Sequence, residues 1–234
     1  MYKQLQKLNI LLDEQTLNTF VLYEKLFKEY NSKVNLISNN DETVLFEKHI
    51  FDSLALNLFY EKYISNKSLK LLDIGTGGGF PSLPISLFYK NIDVAALDSI
   101  NKKINFIKLV KEQLKLDNIN PICSRVEDLP ISSKSSFDVV TSRAMAELRL
   151  ILEYAIPYLK VGGYFVAYKS IKTQEEIDNA KNALKLLNSK VVDIIDYSLP
   201  IEENNRRCLI IIKKEKEVPS SYPRKNGLVK KKPL

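Results

Sequence analysis

Four of the chain's seven glycines fall within five residues. They lie in Leu71-Leu72-Asp73-Ile74-Gly75-Thr76-Gly77-Gly78-Gly79-Phe80-Pro81, where an apolar run passes into a segment of helical composition. Removing Cβ atoms at that density lets a backbone turn sharply and lets a ligand approach the main chain. A merely tight turn needs one or two glycines, so the loop reads as a binding element. Its register excludes two ligands. Counting G-x-G-x-x-G from Gly75 ends on Phe80, and from Gly77 on Ser82, so the dinucleotide fingerprint fails. No Gly-Lys-Ser/Thr follows, so a P-loop fails too. What remains is an acid two places ahead of a glycine ladder, Asp73-x-Gly75-x-Gly77-x-Gly79.

Other polar residues close the apolar runs that follow. Val94-Ala95-Ala96-Leu97 ends at Asp98, 23 residues after Gly75, where a carboxylate can accept both hydroxyls of a ribose. The competing role is a helix cap, since Ser99 and Asn101 beside it are capping types. Arg125-Val126-Glu127-Asp128 offers backbone amides and an apolar side chain to border a flat base, or is a surface turn. Arg143 ends a fourth run and Lys169 a fifth, both at the edge where parallel sheets bind ligands, so both can meet phosphate. Arg143 has an alternative in an ion pair with Glu147, one helical turn on.

His49 is the only histidine and Cys123 and Cys208 the only cysteines, so a zinc site, a Ser-His-Asp triad and a disulfide framework are all hard to build. Both cysteines sit in apolar stretches and are expected in the core. His49 with Asp52 reads more readily as a structural hydrogen bond than as a catalytic pair.

These residues need elements to position them. Glu14 to Val34 carries Leu17, Phe20, Val21, Phe27 and Tyr30 at three-and-four spacing, which predicts an amphipathic helix. A second helix is predicted over 42–63, with Asp41 as its N-cap. From Leu69 the runs LKLLDIG, DVAALD, NPICSR, FDVVTS and YFVAYK alternate with helical stretches, which argues for a parallel sheet covered on both faces. Thr173-Gln174-Glu175-Glu176 reads as a capping box opening a helix to about Asn188. VVDIID and RCLIIIKK around Glu202-Glu203-Asn204-Asn205 predict a closing hairpin. The expected organisation is an α/β chain: a helical cap over 1–66, the sheet domain over 67–216 and a basic tail over 217–234.

The net charge is +7, and Lys213 to Leu234 holds eight Lys or Arg against two Glu, so six of the seven excess charges lie there. Such a tail can aid solubility, meet a membrane surface or bind phosphate. No apolar run approaches the ~20 residues of a bilayer crossing, and the first residues lack the order of a signal peptide, so a cytoplasmic protein is expected.

The glycine ladder resembles the first motif of Rossmann-like, class I methyltransferases, whose loop passes under the methionine part of S-adenosylmethionine. DIGTGGGFPSLP, Leu97-Asp98-Ser99 with Lys102 and Lys103, SRVEDLP, FDVVTSRAMAEL, PRKNGLVKKKPL, and Tyr30-Asn31 and His49-Ile50-Phe51-Asp52-Ser53-Leu54 in the cap are together similar to a narrower family. It is that of the bacterial 16S rRNA guanine-N7 methyltransferases, known also as glucose-inhibited division protein B, and the likeness covers nearly the whole chain. The resemblance implies S-adenosylmethionine as cofactor, held by Gly75, Phe80, Val126, Glu127 and Arg143, beside Gly77 and Asp98 read above. It implies 16S rRNA or the small ribosomal subunit as partner, near the decoding region; strand-end position turns Arg143 and Lys169, and tail charge Arg224 and Lys225, toward RNA, with no metal expected. Gly78 stands where many relatives have proline, and Ser170 where glycine is common. Guanine N7 carries an in-plane lone pair and a sulfonium methyl is electrophilic, so direct displacement needs alignment rather than a general base. Two further readings fit the loop: a same-fold methyltransferase acting on a small molecule, and a ribosome-binding factor without chemistry.

Overall fold

The computed structural model describes residues 2–65, 67–170, 173–202, 205–225 and 227–234. The apolar runs form β1 (Leu69–Ile74), β2 (Ile92–Asp98), β3 (Ile119–Cys123), β4 (Phe137–Arg143), β5 (Leu159–Lys169), β6 (Ser189–Ser198) and β7 (Arg206–Lys214). Among the described residues they make one seven-stranded sheet in the order β3-β2-β1-β4-β5-β7-β6. The first five strands pair in parallel, and β7 runs antiparallel to both β5 and β6. This is the mostly parallel sheet with a closing hairpin that the sequence predicts. Of the polar turn expected between β6 and β7, Glu203 and Asn204 lie outside the described residues.

Side chains alternate across each strand, so neighbours in sequence enter different cores. Leu71 packs on one face with Val94, Val139 and Val166, and Leu72 on the other with Val140, Phe165 and Ile210. The first face is covered by α1 (Glu14–Val34), α3 (Phe51–Leu54) and α4 (Leu56–Tyr63), and by α5 (Ser82–Phe88) and α6 (Asn101–Gln113), which connect the strands, while α2 (Asn39–Thr43) buries no residue. The second is covered by α7 (Leu148–Ala155), α8 (Thr173–Asn179), α9 (Lys181–Leu186) and, from the tail, α10 (Leu228–Lys231).

The bounds of α1 match the expected helix. Asp13 caps it by accepting the Thr16 N–H at 2.6 Å, and Asn35 ends it in the left-handed region at φ 54°. Its buried positions are Phe20, Tyr23, Phe27 and Asn31, whereas Val21 faces solvent at 55% exposure. Tyr23 completes the stripe because it continues the i, i+3, i+7 positions set by Phe20 and Phe27.

Four expectations are corrected. The helix predicted over 42–63 is broken: α2 is capped by Ser38, whose Oγ accepts the Asp41 N–H at 3.1 Å, while Asp41 itself pairs with Lys48. A wide π-helical turn at Phe46–Ile50 then carries Lys48 and His49 to the sheet edge. Thr173 forms no capping box, because its hydroxyl donates to the Ser170 carbonyl and Glu176 turns to Lys169 and the Leu148 N–H. The helix after it is two short pieces, meeting at Ala180. Finally, Cys123 is exposed; only Cys208 is in the core. Its strand, β3, sits at the sheet's edge, where one flank is open.

Among the described residues, no helix is long and apolar enough to cross a membrane, and no three His, Cys, Asp or Glu are grouped to hold a metal ion.

Candidate active site at the carboxyl edge of the sheet

In open parallel sheets the ligand crevice lies beyond the carboxyl ends of the strands, where the strand order reverses. Here the reversal is between β1 and β4. Two cavities flank it, one of about 510 Å³ beyond β1, β2 and β3, and one of about 440 Å³ beyond β4 and β5. Ala144 and Met145, just after β4, line both.

Of the glycine loop, Gly75 lines the first cavity, whereas Gly77, Gly78 and Gly79 do not. Gly75, Gly77 and Gly79 have φ of 73°, 56° and 91°, a region that L side chains enter at a cost. A Cβ on Gly75 would overlap the Met145 thioether, and one on Gly79 the Leu83 side chain. Asp73 fixes the loop from below: wholly buried, it accepts from Ser82 Oγ at 2.6 Å and Thr141 Oγ1 at 3.0 Å. Thr76 Oγ1 donates to Ser82 Oγ at 2.8 Å and joins the loop to this network. Burial holds the Asp73 carboxyl above its usual range.

Asp98 lines the same cavity and does not cap α6, whose N-cap is Ile100 with no side-chain cap bond. Its Oδ1 accepts the Ile100 N–H and its Oδ2 the Gly77 N–H, both at 2.9 Å. Gly77 thus presents its backbone to Asp98 and is tied to the end of β2. Gly75, Val126 and Glu127 are on the cavity wall, and the Tyr158 hydroxyl holds the Val126 carbonyl from behind. Phe80 is not on this wall. It is 3% exposed, with its ring 5.3 Å from Phe27 and 4.9 Å from His49, beneath Arg143, whose Cζ lies 5.1 Å from the ring centre.

Arg143 lines the second cavity and joins cap to sheet. Its guanidinium donates to Asp52 Oδ2 at 2.9 Å, to the Lys48 carbonyl at 3.3 Å and to His49 Nδ1 at 2.9 Å. His49 and Asp52 therefore meet through Arg143 rather than bonding each other. Asp52 Oδ1 takes the Tyr197 hydroxyl at 2.5 Å. An arginine only donates, so His49 Nδ1 accepts and its proton resides on Nε2, a buried atom with no hydrogen-bond partner among the described residues. Burial first, then the Arg143 charge, pushes the His49 pKa down to about 3, so the ring is neutral near pH 7. Glu147, the alternative partner of Arg143, pairs with Arg149 at 2.8 Å.

Lys169 also lines the second cavity, bonded to Glu176 at 2.6 Å and the Ala146 carbonyl at 2.7 Å. Arg224 lies elsewhere, bidentate on the buried Glu153, and Lys225 is exposed. Sequence reasoning missed the Ala144-Met145 partition, Glu176, Arg207 and the cavity-lining Gly227 and Lys230. Ala144 adopts φ 52°, and nothing in an alanine announces a left-handed turn.

A model of the family described as GidB, rRNA small subunit methyltransferase G, matches residues 16–209. A protein named ribosomal RNA small subunit methyltransferase G from Streptococcus gordonii is 42% identical over 235 residues, spanning 100% of this chain and 98% of its own length. One of the same name from Streptococcus suis is 41% identical with the same coverage. Among solved structures, a SAM-dependent methyltransferase from Aquifex aeolicus aligns with TM-score 0.56 at 17% identity, covering 78% of this chain and 97% of its own. M. jannaschii TYW2, solved in complex with AdoMet, aligns with TM-score 0.53 at 18% identity, over 67% of this chain and 72% of its own. The sheet is thus that of the class I methyltransferases.

Proposed function

Because this chain belongs to the GidB family of rRNA small subunit methyltransferase G, we propose that it moves a methyl group from S-adenosylmethionine to N7 of a guanine in 16S rRNA, near the decoding region. The observation that carries this is the pair of cavities with one shared partition, so that a group bound in the first can reach a base bound in the second. The first cavity suits the cofactor. Gly75 borders it beside Met145, and Asp98 supplies a carboxylate for the ribose while keeping its bond to Gly77. Val126 and Glu127 border the base, and Phe80 supports the site indirectly by carrying Arg143.

S-adenosylmethionine, when bound, supplies an electrophilic sulfonium methyl. The chain's own work is alignment. The guanine lone pair needs no base to expose it, which agrees with a site whose single histidine is neutral, buried and bonded to an arginine. Lys48, Lys169 and Arg207 line the second cavity with Arg143, giving cationic surface to the phosphates around an unpaired or extruded nucleotide. We place the helical cap at 1–66, the catalytic domain at 67–216 and the basic tail at 217–234, acting in the cytoplasm on the small subunit.

Purified chain incubated with labelled S-adenosylmethionine and small subunits from cells lacking the gene should place label in 16S rRNA. Arg143→Ala should reduce that transfer by roughly 10²-fold or more, as expected for a mispositioned site. Label confined to a small molecule, with none in RNA, would overturn the reading.

A further inference from the structure

The C-terminal segment carries two ion pairs whose inner members are wholly buried. Lys214, at 0% exposure, donates to the Leu159 carbonyl at 2.7 Å and to Glu217 at 2.9 Å, and Asn188 donates to the Glu217 carbonyl at 2.7 Å. Further on, Glu153 of α7, also at 0% exposure, accepts three bonds from one residue: the Arg224 N–H at 2.8 Å, Nε at 2.8 Å and a terminal nitrogen at 2.6 Å. The same Arg224 nitrogen bonds the Lys232 carbonyl at 2.8 Å, bracing the loop that holds residues 227–232. Val229 inside that loop is 1% exposed against the sheet's second core. Gly227 and Lys230 of this loop line the first cavity together with Arg125, Glu127 and Tyr154.

From this arrangement we propose that residues 227–232 are the outer wall of the cofactor cavity, latched by Glu153 and Arg224. A buried carboxylate is costly unless fully paired, and a well-packed apolar residue would serve stability equally well. What an apolar residue cannot do is grip an arginine at fixed geometry on two oxygens, which sets the position and orientation of the segment that follows. Arg224 is accordingly a positioning residue for the nucleoside end of the cofactor rather than a phosphate ligand. Lys230 is the side chain of this wall that reaches the cavity.

The proposal rests on the cofactor reading above, and the test separates the two. S-adenosylhomocysteine is titrated calorimetrically into full-length protein without RNA, beside Lys230→Glu, Arg224→Lys, Arg224→Ala and a chain ended after Glu217. Thermal melts identify the variants that remain folded. Arg224→Ala and the shortened chain should bind roughly tenfold or more weakly, with Arg224→Lys between them and wild type. The exposed Lys230→Glu, whose fold is not at stake, should weaken binding at least threefold or so, and should raise KM for the cofactor more than it lowers kcat. Folded variants that all bind like wild type would overturn the wall while leaving the cofactor reading intact. Wild-type protein that fails to bind would overturn that reading, and the wall with it.

Discussion

Asp73 and His49 are both buried titratable groups beside the site, and their partners give them opposite uses. Asp73 gathers two hydroxyls, so Asp73→Ala leaves Ser82 and Thr141 without an acceptor in the core. The expected cost is about 1–3 kcal/mol in urea unfolding, with weaker cofactor binding because the loop loses its anchor. Asp73→Asn, which keeps one acceptor oxygen, should lose less. For His49 the folded pKa of about 3 lies below the ordinary 6.5, so the unfolded chain takes up the proton first as pH falls. Stability from this group is therefore complete above pH 6.5 and is lost from there down toward pH 3, by up to about 1.4 kcal/mol per pH unit. Unfolding midpoints from pH 7 to pH 4 should fall more steeply for wild type than for His49→Gln; parallel profiles would contradict the assignment. Neither residue's role was legible in sequence beyond its type, since Arg143 reaches His49 and Asp52 from more than ninety residues away.

The glycine loop and the turn after β4 act as two sides of one opening. Gly75 at φ 73° admits no Cβ without displacing Met145, so Gly75→Ala combines backbone strain with crowding at the partition. It should bind S-adenosylhomocysteine roughly tenfold more weakly, and adding Met145→Ala should recover part of the loss by removing the crowding. No recovery in the double variant would show that strain alone is responsible. The loop was readable because glycine density is a local signal, as were the strands, whose unbroken apolar runs reflect burial on both faces. The break between α2 and α4 was not readable. Its cause is a tertiary contact: the wide turn presents Lys48 and His49 to Arg143, beside Asp52 of α3, and local propensity carries no trace of that partner. The capping box at Thr173 failed for the same reason, since Lys169 competes for Glu176.

Across the whole molecule, charge is divided between grip and latch. From Lys213 onward the sequence shows six excess positive charges, but not that Lys214 and Arg224 are occupied by Glu217 and Glu153. With Lys230 at the first cavity, the exposed ones left to attract RNA are Lys216, Lys225, Lys231 and Lys232. Replacing these four with alanine should flatten the dependence of log K on log salt, by about 0.7 for each phosphate of single-stranded RNA that is no longer neutralised. An unchanged slope would mean that the tail's lysines face solvent and not the subunit. The parallel pairing of the sheet was implied by alternation of strands and helices, whereas the strand order was not, and the tail's attachment depends on α7 and could not be seen from its composition.

The most direct test of the account is chemical. N7-methylguanine carries a positive charge on its imidazole ring that makes the ring electrophilic, so hydride reduction followed by mild strand scission cuts RNA at that base and at few others. 16S rRNA from cells lacking the gene should be uncut near the decoding region, and treatment of their small subunits with this protein and S-adenosylmethionine should restore one cut there. A cut already present without the protein, or none after treatment, would contradict the assignment.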